Sequence, residues 1–154
     1  MESYIHLVVF NLDDLNCAVH VSAVERIVMI AEITPLRNAP DIVLGLVNVR
    51  GRIIPVINIR KRFALPTCEI RLSERLIIAR TSRRPVALVA DTVAGVVECS
   101  EGEITAADRI LLRLEYIEGV VKLEDGLILI HDLETFLSLE EEETLEKAMT
   151  PTDS

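Results

Sequence analysis

The feature that most limits how this 154-residue chain can fold is that its pattern runs twice. Ala18-Val19-His20-Val21-Ser22-Ala23-Val24-Glu25-Arg26-Ile27-Val28 lies over Ala87-Leu88-Val89-Ala90-Asp91-Thr92-Val93-Ala94-Gly95-Val96-Val97 without a gap. A short β-branched run opens each copy, Ile5 to Phe10 and Leu76 to Ala79. Each copy closes on a second pair of apolar runs. In the first, Leu46 to Val49 and Ile53 to Ile57 flank Arg50-Gly51, and Gly supplies the positive φ of a two-residue hairpin turn. In the second, Gly119 to Leu123 and Leu127 to Ile130 flank Glu124-Asp125-Gly126, which predicts a three-residue loop closed by a glycine bulge. The last run of the second copy then reads one residue short. Pro55 is the residue in excess in the first, at an edge or bulge where proline is tolerated.

Two copies of a five-strand unit therefore predict an all-β chain, the first half at about 4–66 and the second at about 74–139, joined at residues 67–73. Five short strands lose their free edges by closing into a small barrel. The central hairpin is apolar on both faces, which places it between two layers or inside such a barrel. Asn58 and Asp132 follow the last strand of each copy and predict caps for short helical turns, Ile59 to Leu65 before Pro66 in the first, with Phe136 in the place of Phe63 in the second. Residues 140–149, opening on Glu140 to Glu143, read as an extension of the helix capped by Asp132, frayed at its end, within an acidic tail at 140–154.

Composition narrows the function. Half the chain is hydrophobic yet only 3% is aromatic, so the core is built from Val, Ile and Leu and platforms for stacking bases are scarce. Cys17, Cys68 and Cys99 are odd in number and lack metal-ligand spacing, which fits a reducing compartment; with no signal-like N-terminus and no long apolar run, a cytoplasmic location is expected. His6, His20 and His131 are isolated from one another, so no metal is expected, and phosphate-cradling and nucleophile-elbow motifs are missing. Charge is unevenly placed. Residues 50–84 hold 10 basic and 2 acidic side chains, whereas 85–154 hold 4 and 17. That middle reads as solvated surface, as a docking face for an acidic partner, or as the basic patch of a nucleic-acid-binding small barrel. A pI of 4.8 and a single aromatic in the window weigh against the last.

The central stretch resembles the signature of the CheW family, the coupling proteins of chemotaxis-type signalling. Gly45, Asn48, Arg50, Gly51, Pro55 and Asn58 carry the match, with Val24-Glu25-Arg26-Ile27 upstream and Leu88 to Val93, Val96, Gly119 and Gly126 in the second half. The resemblance covers about residues 4–139 and implies two intertwined five-stranded SH3-like barrels with short helical turns and a C-terminal helix. It implies a non-enzymatic adaptor without cofactor, recruited to membrane receptor arrays, that joins the cytoplasmic tip of a chemoreceptor to the regulatory domain of a CheA-type histidine kinase. A coupling protein of a pilus, gliding or developmental pathway is equally consistent. Carried over by position, Val24, Arg26, Ile27, Arg50, Ile53 and Leu76 would border the receptor groove, Val93 and Val96 would face the kinase, and Gly45, Asn48, Gly51, Asp91 and Gly119 would be structural. One departure stands out: Arg26 occupies the usual Glu position, so that position cannot pair with Arg50 unless Glu25 substitutes.

Overall fold

The computed structural model describes residues 4–63, 73–106, 117–123, 126–135 and 137–150. In chain order the strands are β1 Tyr4–Leu12, β2 Leu15–His20, β3 Val24–Met29, β4 Val43–Val49, β5 Arg52–Ile57, β6 Arg75–Arg80, β7 Pro85–Ala90, β8 Thr92–Ser100, β9 Ile104–Ala106, β10 Ile117–Leu123 and β11 Gly126–His131. A helix, α1, follows at Leu139–Met149.

The strands form two sheets, ordered β8-β1-β2-β11-β10-β9 and β3-β6-β7-β5-β4. The duplication shows in the pairing. Strands β1 and β2 of the first copy sit beside β8, β10 and β11 of the second, and β6 and β7 of the second sit beside β3, β4 and β5 of the first. Each unit thus takes its first two strands from one half of the chain and the rest from the other. In both units the final strand joins the second in parallel, β11 on β2 and β5 on β7. Chain continuity brings the outer strands round: β9 follows β8 through a 3-10 turn at Glu101–Glu103 and pairs with β10, and in the other unit Thr34 bridges back to Leu46 of β4.

Alternation along the strands separates three cores. Leu7, Val9, Ala18, Cys99, Val121, Ile128 and Ile130 fill one unit; Val47, Ile54, Val56, Leu76, Ile78, Ala87 and Val89 fill the other. The opposite faces of β1, β2, β6 and β7, with Val8, Phe10, Cys17, Val19, Ile77, Leu88 and Ala90, build a central layer between them. Burial on both faces therefore belongs chiefly to these four strands. In the central hairpin Ile57 reaches the middle layer while Ile53 remains 51% exposed.

Three sequence expectations are corrected. The pairs Val43↔Ile57, Gly45↔Val56 and Leu46↔Pro55 recur as Ile117↔His131, Gly119↔Ile130 and Val120↔Leu129, so Pro55 matches Leu129 and is not in excess. Gly126 pairs with Leu123 as the first residue of β11, leaving two residues between the strands rather than three. Pro55 is tolerated because β7 pairs with β5 at Val56 and Ile57, beyond the proline. The turn after β5 is a 3-10 helix, Ile59–Phe63; the rest of the expected helical segment and Phe136 lie outside the described residues. Finally, α1 is a separate helix rather than an extension of the Asp132 turn. The Ser138 hydroxyl accepts from the Glu141 N–H while the Glu141 carboxylate accepts from the Ser138 N–H, a capping box, and Leu145 anchors the helix in the central layer.

Candidate functional site

The turn between β4 and β5 is built by local chemistry. Arg50 and Gly51 both have positive φ, 51° and 85°, as a type I′ turn requires, and Asn48 Oδ1 accepts the Gly51 N–H at 2.8 Å. Asn48 and Gly51 thus hold the turn that carries the exposed Arg50.

Glu25 stands at a pairing irregularity in β3, between Val24↔Ala79 and Arg26↔Ile78. Its carboxylate accepts from Arg52 Nη1 at 2.8 Å and meets Arg80 at 3.0 Å, drawing β3, the β4–β5 turn and the end of β6 together. The Arg52 hydrogen bond, then that of Arg80, holds the Glu25 carboxyl below its ordinary range despite partial desolvation. Glu25 therefore does not substitute as the partner of Arg50. Among the described residues, neither Arg50 nor Arg26 has a carboxylate in ion-pair contact.

Val24, Arg26, Ile27, Arg50, Ile53 and Leu76 all fall on or beside the β3-β6-β7-β5-β4 sheet, whereas Val93 and Val96 lie on β8 of the other. Ile27 and Ile53 are exposed, 40% and 51%; Arg26 is half-buried; Val24 packs against the central layer. Leu76 has no exposed area, because it is the counterpart of Leu7 and fills the interior of its unit. It underlies this face and cannot touch a partner directly. Val93, equivalent to Val24, also packs on the central layer; Val96, equivalent to Ile27, is 62% exposed. Sequence reading missed Met29, 68% exposed one strand period beyond Ile27, although the alternation of β3 could have shown it.

The residues expected to be structural have visible reasons. A Cβ on Gly45 would lie 2.8 Å from the Thr34 carbonyl carbon, and one on Gly119 would lie 2.9 Å from the Thr105 carbonyl oxygen. The signal was in the sequence as Glu32-Ile33-Thr34 and Glu103-Ile104-Thr105, each set against the glycine of the next strand. Asp91 accepts from Arg60 at 2.6 Å and from the Asp13 N–H at 2.7 Å, while Asp13 Oδ2 takes Arg60 Nη1 at 2.8 Å. This triad ties the β1–β2 turn, the β7–β8 turn and the segment after β5. The carboxylates raise the Arg60 pKa above its already high value.

Elsewhere, His20 Nε2 lies 3.0 Å from Glu118 and His6 Nε2 3.5 Å from Glu98. Among the described residues no group of three or more His, Cys, Asp or Glu side chains is placed to hold a metal, and no helix is long and apolar enough to cross a membrane.

Comparisons with known proteins converge. The CheW-like domain model matches residues 6–141. The chain is 28% identical over 139 residues to the chemotaxis protein CheW of Rhizobium meliloti (strain 1021), covering 89% of this chain and 90% of that one. It is 30% identical over 136 residues to the chemotaxis protein CheW of Bacillus subtilis (strain 168), covering 87% of each. Among solved structures, the scaffolding protein TtCheW of Thermoanaerobacter tengcongensis superposes with a TM-score of 0.81 at 26% identity, over 90% of this chain and 96% of that one. With the strand order, the glycine pair and the Asn-x-Arg-Gly turn already in place, the match along nearly the whole chain makes it a member of the CheW-like family.

Proposed function

We propose that this chain is a non-enzymatic adaptor that couples the cytoplasmic tip of a chemoreceptor to the regulatory domain of a CheA-type histidine kinase, working in the cytoplasm at receptor arrays. The observation that carries the reading is the placement of exposed apolar residues at equivalent positions of two units that share one core. Ile27 and Ile53 stand on one unit, Val96 and Leu127 on the other, all at least 40% exposed. A body with two such faces and a continuous middle layer is suited to holding two proteins in register. The receptor would dock at Val24, Arg26, Ile27, Arg50 and Ile53, the kinase near Val93 and Val96. Contacts of micromolar strength, about -8 kcal/mol each, gain by repetition along an array. A conformational change in the receptor then alters kinase activity only through different binding to its two states.

The test is reconstitution. Kinase autophosphorylation is followed with receptor cytoplasmic fragments, the kinase, and this protein present or omitted. Receptor-dependent change in kinase activity only when the protein is present supports the coupling role. Binding to neither the fragments nor the kinase regulatory domain sinks it.

A further inference from the structure

The turns that follow the last strand of each unit match, but their charges do not. Arg60 is the third residue of Asn58–Lys61, closed by the Lys61 N–H on the Asn58 carbonyl at 3.2 Å, and Glu134 is the third of Asp132–Thr135, closed in the same way at 3.2 Å. Asp13 and Asp91, which hold Arg60, correspond in the duplication to Ser82 and Ser22. An acid thus stands where the other turn has an arginine, and it accepts from the Ser82 N–H at 2.8 Å and from the Ser82 hydroxyl. Beside Glu134 lies an open cavity of about 170 Å³, whose wall carries His20, Glu118 and His131 where the other unit has Val89, Leu44 and Ile57. One unit folds with apolar side chains at these three places, so the fold itself does not call for ionisable ones. The charge is one-sided as well. Glu118, Asp132 and Glu134 line the cavity, and the arginine beside them, Arg80, is taken up by Glu25. His20 meets Glu118 at 3.0 Å and the Glu134 N–H meets Asp132 Oδ1 at 3.0 Å, but among the described residues no lysine or arginine pairs with any of the three carboxylates.

We propose that this cavity binds a guanidinium group from outside the chain, with Glu118 and Glu134 supplying the carboxylates that Asp13 and Asp91 supply to Arg60. The duplicated fold already shows what the arrangement holds: at the equivalent place it keeps a guanidinium between two acids, at 2.8 Å from one and 2.6 Å from the other. A planar fork of donors suits such a pair, whereas an ammonium group meets the charge but not the geometry. A metal ion fits less well, since among the described residues no three His, Cys, Asp or Glu side chains are placed to hold one. A free guanidino compound and an arginine side chain of a protein partner present the same head group. The inference goes beyond the adaptor reading and does not depend on it.

The experiment is a titration of the whole ¹⁵N-labelled protein at constant ionic strength, followed through the backbone amides of Ser82 and Glu134. The probes are methylguanidinium, methylammonium, magnesium and a short peptide with one central arginine. Methylguanidinium is expected to shift both amides to saturation and to bind tighter than methylammonium, while the amides of Asp13 and Asp91, whose place Arg60 fills, stay still. The double variant Glu118→Gln/Glu134→Gln, its fold checked by thermal unfolding, is expected to bind about tenfold more weakly. Should that variant unfold, Glu118→Gln alone carries the comparison, its side chain being 49% exposed. Tighter binding of the peptide than of methylguanidinium supports the proposal with a protein partner as the source, and the reverse order supports it with a free compound. Failure of both guanidinium probes to saturate, equal affinity for methylammonium, or unchanged affinity in the folded variant overturns it. Tighter binding of magnesium overturns it in favour of a metal site.

Discussion

Gly45 and Gly119 occupy the same place in the two units, each pressed against an Ile-Thr pair of the segment that precedes its strand. A Cβ at either would meet backbone, from Thr34 in one case and Thr105 in the other. Backbone cannot swing aside as a side chain does. Gly45→Ala is therefore expected to cost about 3 kcal/mol and Gly119→Ala about 2, whereas Gly102→Ala, whose Cβ would find only the Ser100 hydroxyl at 4.0 Å, should be near neutral. Urea midpoints of the three variants check the order, and equal losses at all three would contradict the close approach.

Arg60 is 11% exposed and lies between Asp13 and Asp91, so removing it takes the guanidinium from two carboxylates at once. Both acids keep some contact with water, which moderates the penalty. Arg60→Ala is expected to cost about 2 kcal/mol, with Arg60→Lys recovering less than half, because an ammonium cannot reproduce the forked geometry. A double-mutant cycle with Asp91→Asn should show coupling; additivity would mean that the triad contributes nothing.

His131 is buried against Phe10, ring centroids 5.8 Å apart, and desolvation lowers its pKa to about 3. The unfolded chain takes up this proton near pH 6.5, but the folded protein resists it, so the stability linked to His131 is complete above about pH 6.5 and is lost as pH falls below it. By about pH 5 the loss reaches roughly 2 kcal/mol. His131→Ile, which installs the side chain of its counterpart Ile57, is expected to flatten the stability profile between about pH 6.5 and 4. An identical acid-side decline in the variant would place its source elsewhere.

Arg50→Asn separates turn stability from recognition. With Asn48 still capping Gly51, asparagine is better suited to the left-handed position and should raise stability by about 0.5–1 kcal/mol. The same change should weaken binding of the receptor fragment. Gly51→Val, by contrast, should destabilise through strain at φ 85° even though its Cβ has open space. Paired calorimetry and binding measurements are decisive; a less stable Arg50→Asn protein would contradict the turn argument.

Within α1, Leu145 has no exposed area while Leu139 is 64% exposed. Leu145→Ala should cost about 3 kcal/mol and Leu139→Ala almost nothing, and Ser138→Ala about 1 kcal/mol through the capping box. Similar losses at both leucines would show that the helix does not dock as described.

Much of this was legible in particular residues. Arg50-Gly51 between apolar runs specified the hairpin, and the matched segments at residues 18–28 and 87–97 specified two equivalent units. What alternation could not reveal was which strands pair, since both faces of β1, β2, β6 and β7 are apolar and fit an interior as well as an interface. Leu76 was misplaced for that reason. Pro55 misled because the glycine at 126 was counted into the turn, although it belongs to the strand. Ser138 followed by Glu141 carried the signature of an independent helix start and was overlooked beneath the run of glutamates. That Glu25 does not pair with Arg50 was not legible in the sequence, because its partners Arg52 and Arg80 come from other strands.

The exchange of strands between the halves makes each half depend on the other. A gene encoding one half alone would make a chain holding the first two strands of one unit and the last three of another. It could complete neither without a second molecule. Such a half could close only by trading strands with a second molecule, and the covalent link between the halves makes that exchange intramolecular. Within one chain the two faces need not be alike: one has Met29 where the other has Glu98, and it gathers Arg52 and Arg80 around Glu25.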